Sequence, residues 1–420
     1  MRPSLVYRLL CSLSLSAGLI GCAATQAPAT MPQPHPQPVA APMLSTGSGD
    51  LGLVIERASG SLQVVNNSRL ESLGKIEGLG DLSHASVVYG RDGATAYVFG
   101  RDGALSKVNL LSRKIEARVQ QSGNSIGGAI SQDGSLVAAQ NYQPGGIKVF
   151  DAKTLALVAD IPATYSPKDS PANAPQQLSR VVGLADLPGR RFIYSLFDAG
   201  EIWIADLSQP ATPALKKFKN VGSQPYDALV TPNGRHYIAG LFGEDGLAMI
   251  DLWAAEPKVR RILNGYGRGQ EPLPVFKMPH LRGWAVAGRH AYLPAIGRHE
   301  VLVVDTETWT EVDRIKVAGQ PVFVIARPDG RQVWVNFAVP DYHRVQVIDT
   351  PTRQIVKTLE PGKAVLHMEF TPRGEAVWIS SRDDNRVSVI ATDSFATLAR
   401  LDAAAPSGIF FSSRAGRMGF

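Results

Sequence analysis

Cysteine is almost missing: Cys11 and Cys22 are the only two in 420 residues. Both sit in or just after an N-terminal apolar run, so the domain beyond them has no thiol for a disulfide or for thiolate chemistry. No Cys-x-x-Cys-His occurs, which excludes attachment of a c-type haem. Histidines number eight, and none stands in the HxH or HExxH spacing of a zinc site. Charge is sparse as well, at 19% of residues against a usual value of roughly 25%. The formal charge of +6 falls to +4 once Arg2 and Arg8, which no acid accompanies before Cys22, are removed. That excess is too mild and too scattered for a nucleic-acid surface, while it suits an acidic small ligand. No long segment of 3.6-residue periodicity follows residue 50, which excludes a helical bundle or coiled coil.

What is present first is an export address. Arg2 and Arg8 precede the apolar run Leu9–Ile20, which fits a signal core and is too short to span a bilayer. Leu19-Ile20-Gly21-Cys22 resembles a bacterial lipobox, in which the cysteine is acylated and becomes the new N-terminus. Ala23 follows it, not Asp. By resemblance to bacterial sorting rules, that points to the periplasmic leaflet of the outer membrane. Residues 1–21 are therefore expected to be a signal peptide. Residues 22–49, rich in Pro, Ala and Gln, form a tether unable to bury apolar surface. The membrane is touched only through the lipid.

The rest, 50–420, repeats. Gly 40 and Pro 29 together make about 16% of the chain, above the roughly 12% of average usage. Turns recur at Arg91-Asp92-Gly93, Gln132-Asp133-Gly134, Leu187-Pro188-Gly189, Pro232-Asn233-Gly234, Ala287-Gly288-Arg289, Pro328-Asp329-Gly330 and Pro372-Arg373-Gly374. Their glycines lie 41, 55, 45, 54, 42 and 44 residues apart. A strand such as Val333-Trp334-Val335 follows most of them, and a second strand then ends in Asp151, Asp206, Asp251, Asp305 or Asp349. Those aspartates are expected to cap turns. A unit of this length with four strands is a β-propeller blade. An all-β, eight-bladed propeller needs about 46 residues per blade and a seven-bladed one about 53; eight is the closer fit. The eighth unit places its later strands in Leu51–Val65 and draws its missing strands from Pro406–Phe420, closing the ring end to end.

Function must come from residues that break this repeat. Loops near 162–180 and 262–282 exceed its needs and are candidates for building a site. His236 and His290 follow blade turns and read as surface residues. His84, His280 and His367 precede turns, where innermost strands begin beside the axis. Three imidazoles around one hub could bind a metal or polarise a ligand.

Gly80-Asp81-Leu82-Ser83-His84, followed by Phe99-Gly100-Arg101-Asp102-Gly103, resembles the start of the d1-haem domain of the cytochrome cd1 nitrite reductases. Asn141-Tyr142-Gln143-Pro144, Arg180, Pro279-His280, Arg282-Gly283 and Pro406-Ser407-Gly408 continue the likeness. The resemblance implies that His84 is the proximal ligand of a haem iron and that His280 lies on the open face. Tyr226, within Gln224-Pro225-Tyr226-Asp227, stands where the family has a second open-face histidine. With that change and no c-type haem, a nitrite reductase is not expected. A stand-alone propeller of this kind is similar to the family's d1-haem biosynthesis branch. The resemblance then implies periplasmic binding of d1-type haem or dihydro-haem d1, and a tetrapyrrole-modifying step. It also implies nitrite reductase and other d1-haem assembly proteins as partners, and a homodimer. His84, Arg101, Arg180, Arg282 and Tyr142 would hold the macrocycle; His280, His367, Tyr226 and Asp227 would act as acids and bases. Arg101 reads equally as a turn residue paired with Asp102, and Tyr142 as ordinary packing. A non-catalytic carrier of the cofactor, or a YVTN-type propeller that mediates protein contacts, are the alternatives.

Overall fold

The computed structural model describes residues 47–167, 170–171, 173–267 and 283–417. Every predicted turn glycine takes a positive φ, between 59° and 80°, the conformation that a Cβ disfavours. Each turn joins two antiparallel strands, and eight four-stranded sheets result. From the innermost strand outward, the second sheet is Ser86–Tyr89, Thr95–Phe99, Ala104–Asn109 and Lys114–Gln120. Six more follow the same order, ending with Val365–Phe370, Ala376–Ser381, Arg386–Ala391 and Thr397–Asp402. The protein is an eight-bladed β-propeller.

The first blade closes the ring, with a different share of strands from the expected one. The N-terminal segment supplies three strands, Leu51–Glu56, Ser61–Asn66 and Glu71–Ile76. The tail supplies only the innermost, Pro406–Phe411, with Leu53 opposite Phe410 and Val54 opposite Ile409. Beyond Phe411 the chain leaves the sheet as a 3-10 turn, Ser412–Gly416. Glu56 bolts the seam. Fully buried, it accepts from Ser61 Oγ at 2.7 Å, Lys75 Nζ at 2.8 Å and the Ala404 amide at 2.9 Å. Burial alone would raise its pKa; Lys75, Ser61 and Ala404 outweigh burial and hold it below the usual carboxylate value.

The core lies between blades, because each sheet buries both faces against its neighbours. Trp203, Trp334 and Trp378 are fully buried in this way. The repeated aspartates do cap turns: Asp151 accepts from the amides of Lys153 and Thr154, and Asp305 from those of Glu307 and Thr308. His236 departs from the surface reading. Its ring is largely covered and stands edge-on to Trp309, with centroids 5.6 Å apart.

Candidate functional site

The innermost strands line the hub, and the loops that enter them from the preceding blade ring its mouth. His84 sits in such a loop, exposed, just before Ser86–Tyr89. The Arg101 amide donates to Asp81 O at 2.8 Å, and Asp81 Oδ1 accepts the Ser83 amide at 2.8 Å. The two halves of the motif are thus stapled together. Gly80 is needed at this join: its φ is +78°, and a Cβ there would lie 2.5 Å from Asp102 Oδ2. Asp102 pairs with Arg118 at 3.2 Å, not with Arg101. Arg101 is therefore released from the turn-residue role. Its guanidinium lies 5.8 Å from the centre of the Tyr142 ring.

Tyr142 opens an aromatic wall that crosses three blades. Its hydroxyl lies 3.1 Å from that of Tyr226. Tyr226 meets Phe197 edge-on at 5.8 Å, and Phe242 lies 6.2 Å from it. Burial raises the pKa of both phenols, so each keeps its proton at neutral pH. Asp227 follows Tyr226 and accepts the Ala228 amide at 3.0 Å. Arg180 caps the same wall, 4.3 Å over Phe197. Its guanidinium is already engaged by Asp198, through Nε at 3.0 Å and Nη2 at 2.5 Å. The bond to Asp198 raises its pKa. Arg180 thus already has one carboxylate partner within the chain. The loop near 162–180 does border this wall, through the short hairpin Thr164–Tyr165 with Gln177–Leu178.

A second wall faces the hub from the seventh, eighth and first blades. His367 stands between Phe323 and Phe410, with centroids at 6.5 and 5.5 Å. The spacing 323, 367, 410 is one blade each time, so these are equivalent innermost positions. Glycines make room for the rings: a Cβ on Gly283 would lie 2.4 Å from Phe323, and one on Gly408 2.4 Å from Phe410. His367 Nδ1 accepts the Ile409 amide at 3.1 Å, which places the proton of the neutral ring on Nε2. Burial, against a smaller opposing pull from Glu369, depresses its pKa to about 4.

Beneath that wall the C-terminal turn is anchored. Arg414, in the 3-10 turn after the last strand, grips Glu369 with two bonds of 2.7 and 2.6 Å. Arg91 reaches from the second blade to Ala415 O at 2.8 Å and to Ser131 O at 3.0 Å. The C-terminal turn is thereby tied to the eighth and second blades, at the ends of their innermost strands away from the His84 loop.

The structure therefore ties the His84 loop to the Arg101 turn through the backbone, joins Tyr142 and Tyr226 with Asp227 next in sequence, and sets His367 on the opposite wall. His280 and Arg282 lie outside the described residues, as does Cys22. Among the described residues no group of three His, Cys, Asp or Glu could hold a metal ion. Sequence reasoning missed Phe197, Phe242, Phe323, Phe410 and the Glu369–Arg414 pair. The aromatics were signalled only by their equal positions within successive blades.

This arrangement defines a propeller whose hub carries aromatic walls, with an exposed imidazole in the loop before one innermost strand and the Arg101 guanidinium beside Tyr142. Residues 46–415 match the model of the cytochrome D1 heme domain. The chain is 61% identical to the protein NirF of Stutzerimonas stutzeri over 373 residues, covering 89% of this chain and 94% of that one. It is 58% identical to NirF of Pseudomonas aeruginosa over the same shares. Among solved structures it resembles the dihydro-heme d1 dehydrogenase NirN in complex with DHE. The TM-score is 0.75 at 26% identity, covering 91% of this chain and 80% of that one. The chain belongs to the cytochrome d1 haem domain family and, within it, to the NirF proteins.

Proposed function

We propose that this protein binds a d1-type haem, or dihydro-haem d1 as its late precursor, at the mouth of the hub and acts on it during d1-haem biosynthesis for nitrite reductase. One observation carries the reading: the His84 loop is stapled to the Gly100–Asp102 turn while Arg118 claims Asp102. The loop that carries the imidazole is then held against the turn that carries Arg101, whose guanidinium lies 5.8 Å from the centre of the Tyr142 ring. The donor set fits a flat ligand with apolar faces and a carboxylate fringe, and the DHE-bound relative supports that ligand class. When bound, the macrocycle supplies an iron to be ligated and a conjugated ring to be modified.

Each residue then has a task. His84 would ligate the iron. Arg101 pairs a peripheral carboxylate through its fork of donors. The hydroxyl pair Tyr142–Tyr226 holds a proton that burial keeps in place, and Asp227 beside it accepts one. His367 presents Nε2–H as a donor toward the opposite edge. By the family resemblance, His280 would serve as an acid or base and Arg282 would pair a carboxylate. Acylation at Cys22 would hold the protein at the outer membrane's periplasmic leaflet, within reach of nitrite reductase and other assembly proteins.

Titration of the purified protein with d1-type haem should give a shifted Soret-region spectrum. His84→Ala should alter that spectrum; an unchanged one removes the ligand assignment. Single turnover with product analysis then separates catalyst from carrier. A Tyr226→Phe variant that binds normally and yields no altered product supports chemistry. Recovery of the wild-type ligand unaltered assigns carriage alone.

A further inference from the structure

Away from the hub, the outer strands of the fourth and fifth blades carry one sign of charge. Ala214–Phe218 contains Lys216 and Lys217, and Val259–Ile262 contains Arg260 and Arg261, with Lys219 and Lys258 just outside. Neither strand holds an acid, whereas the outer strands of five of the other six blades do. Among the described residues, Lys216, Lys217, Lys258 and Arg260 form no ion pair; Arg261 pairs with Glu244 at 3.2 Å. Lysine on an edge strand is a common guard against unwanted strand pairing. That reading leaves the tryptophan between these strands unexplained. Trp253 is 65% exposed, and Leu215 nearby is 37% exposed. A cavity of about 730 Å³, lined by Arg235, Lys258, Arg260 and Arg289 against Asp251, Glu256 and Glu307, opens on one side of the Trp253 loop. One of about 350 Å³, lined by Leu215, Lys216 and Trp253, opens on the other. An exposed aromatic beside clefts and cations is the pattern of an interface anchor.

We infer that this flank of the fourth and fifth blades docks an acidic segment of a partner protein, with an apolar side chain of that segment set against Trp253. The charge complementarity selects an acidic partner, and the paired clefts select an extended one. The surface is separate from the hub, so docking and ligand binding can occur together. The inference does not rest on the haem reading.

The test uses the purified protein and three labelled 12-residue peptides read by fluorescence anisotropy: acidic with leucines, acidic without leucines, and basic with leucines. The acidic leucine peptide should bind at least tenfold more tightly than either of the others. Its affinity should fall steeply between 50 and 500 mM salt, where the screening length drops to roughly 4 Å. Trp253→Ser should weaken binding about tenfold, as should Lys258→Glu combined with Arg260→Glu; Trp253→Phe should largely retain it. Thermal melting should be unchanged in all three variants, because these side chains are exposed. Equal binding of acidic and basic peptides, or full binding by Trp253→Ser, would overturn the proposal. Sedimentation showing a wild-type dimer that Trp253→Ser dissolves would also overturn it, by assigning the flank to a second copy of this chain.

Discussion

Replacing Arg414 by leucine tests how the C-terminal turn is held against the eighth blade. Glu369 is only 8% exposed, and both its oxygens accept from Arg414, at 2.7 and 2.6 Å. Leucine fills much of the space beside Phe410 and donates nothing, leaving a carboxylate desolvated and unpaired. Breaking one side of such a pair costs about 3–5 kcal/mol, a factor of roughly 10² to 10³·⁵ in the folding constant. The cost should also depend on pH. In the wild type, burial pushes the Glu369 pKa up, and Arg414 outweighs it, so the net shift is downward. That contribution is present above the unfolded value and is lost as pH falls through the folded one. Without Arg414 the sign reverses: burial raises the folded pKa, and acidification relieves the variant by letting Glu369 take up a proton. Urea unfolding at pH 7.5 and pH 5 measures both effects. The expected result is a large loss at pH 7.5 that shrinks at pH 5. The double variant Glu369→Leu/Arg414→Leu should recover most of the stability. A single-variant loss under about 1 kcal/mol, or a double variant as poor as the single, would refute the reasoning.

Three further outcomes are expected. Trp378→Ala, at a fully buried site between the eighth and first blades, should cost about 3–5 kcal/mol by urea unfolding. Gly80→Ala, which combines a left-handed φ with a contact on Asp102, should cost about 1–3 kcal/mol. It should also weaken d1-type haem binding by displacing the His84 loop; unchanged affinity would show that the loop's position is immaterial. The His367 pKa, about 4 when folded, lies below the unfolded value of roughly 6.5. Its unfolded ring therefore takes up a proton first, and stability falls as pH drops from 6.5 toward 4. His367→Phe should flatten that segment of the stability–pH curve.

The blade repeat was legible because positive φ at a hairpin demands glycine, and Gly93 through Gly374 announce seven turns directly. The first blade was harder to read, since one of its strands comes from the far end of the chain and no glycine turn marks the join. At the site, the motif around His84 and Arg101 was visible as a string, and the backbone bond between Arg101 and Asp81 explains why those segments belong together. Which arginine is uncommitted was not visible. Arg101 and Arg180 look alike in sequence. The difference is made by Arg118, which takes Asp102 from across its own blade, and by Asp198, which reaches Arg180 from the next turn. The walls were hidden for a similar reason: Phe323, His367 and Phe410 meet only because the sheets are wrapped around one axis. Glu369 and Arg414 are 45 residues apart, and nothing in their local sequence marks them as partners.

The seam between Leu51–Glu56 and Pro406–Phe411 has a consequence for biogenesis. The inner edge of the first sheet is synthesised some 350 residues after the strand beside it. Until the ribosome has delivered that late strand, the nascent polypeptide is an open arc with a bare sheet margin at its leading end, a template for mispairing. Closing the ring therefore waits on one long-range zippering between the two ends of the chain.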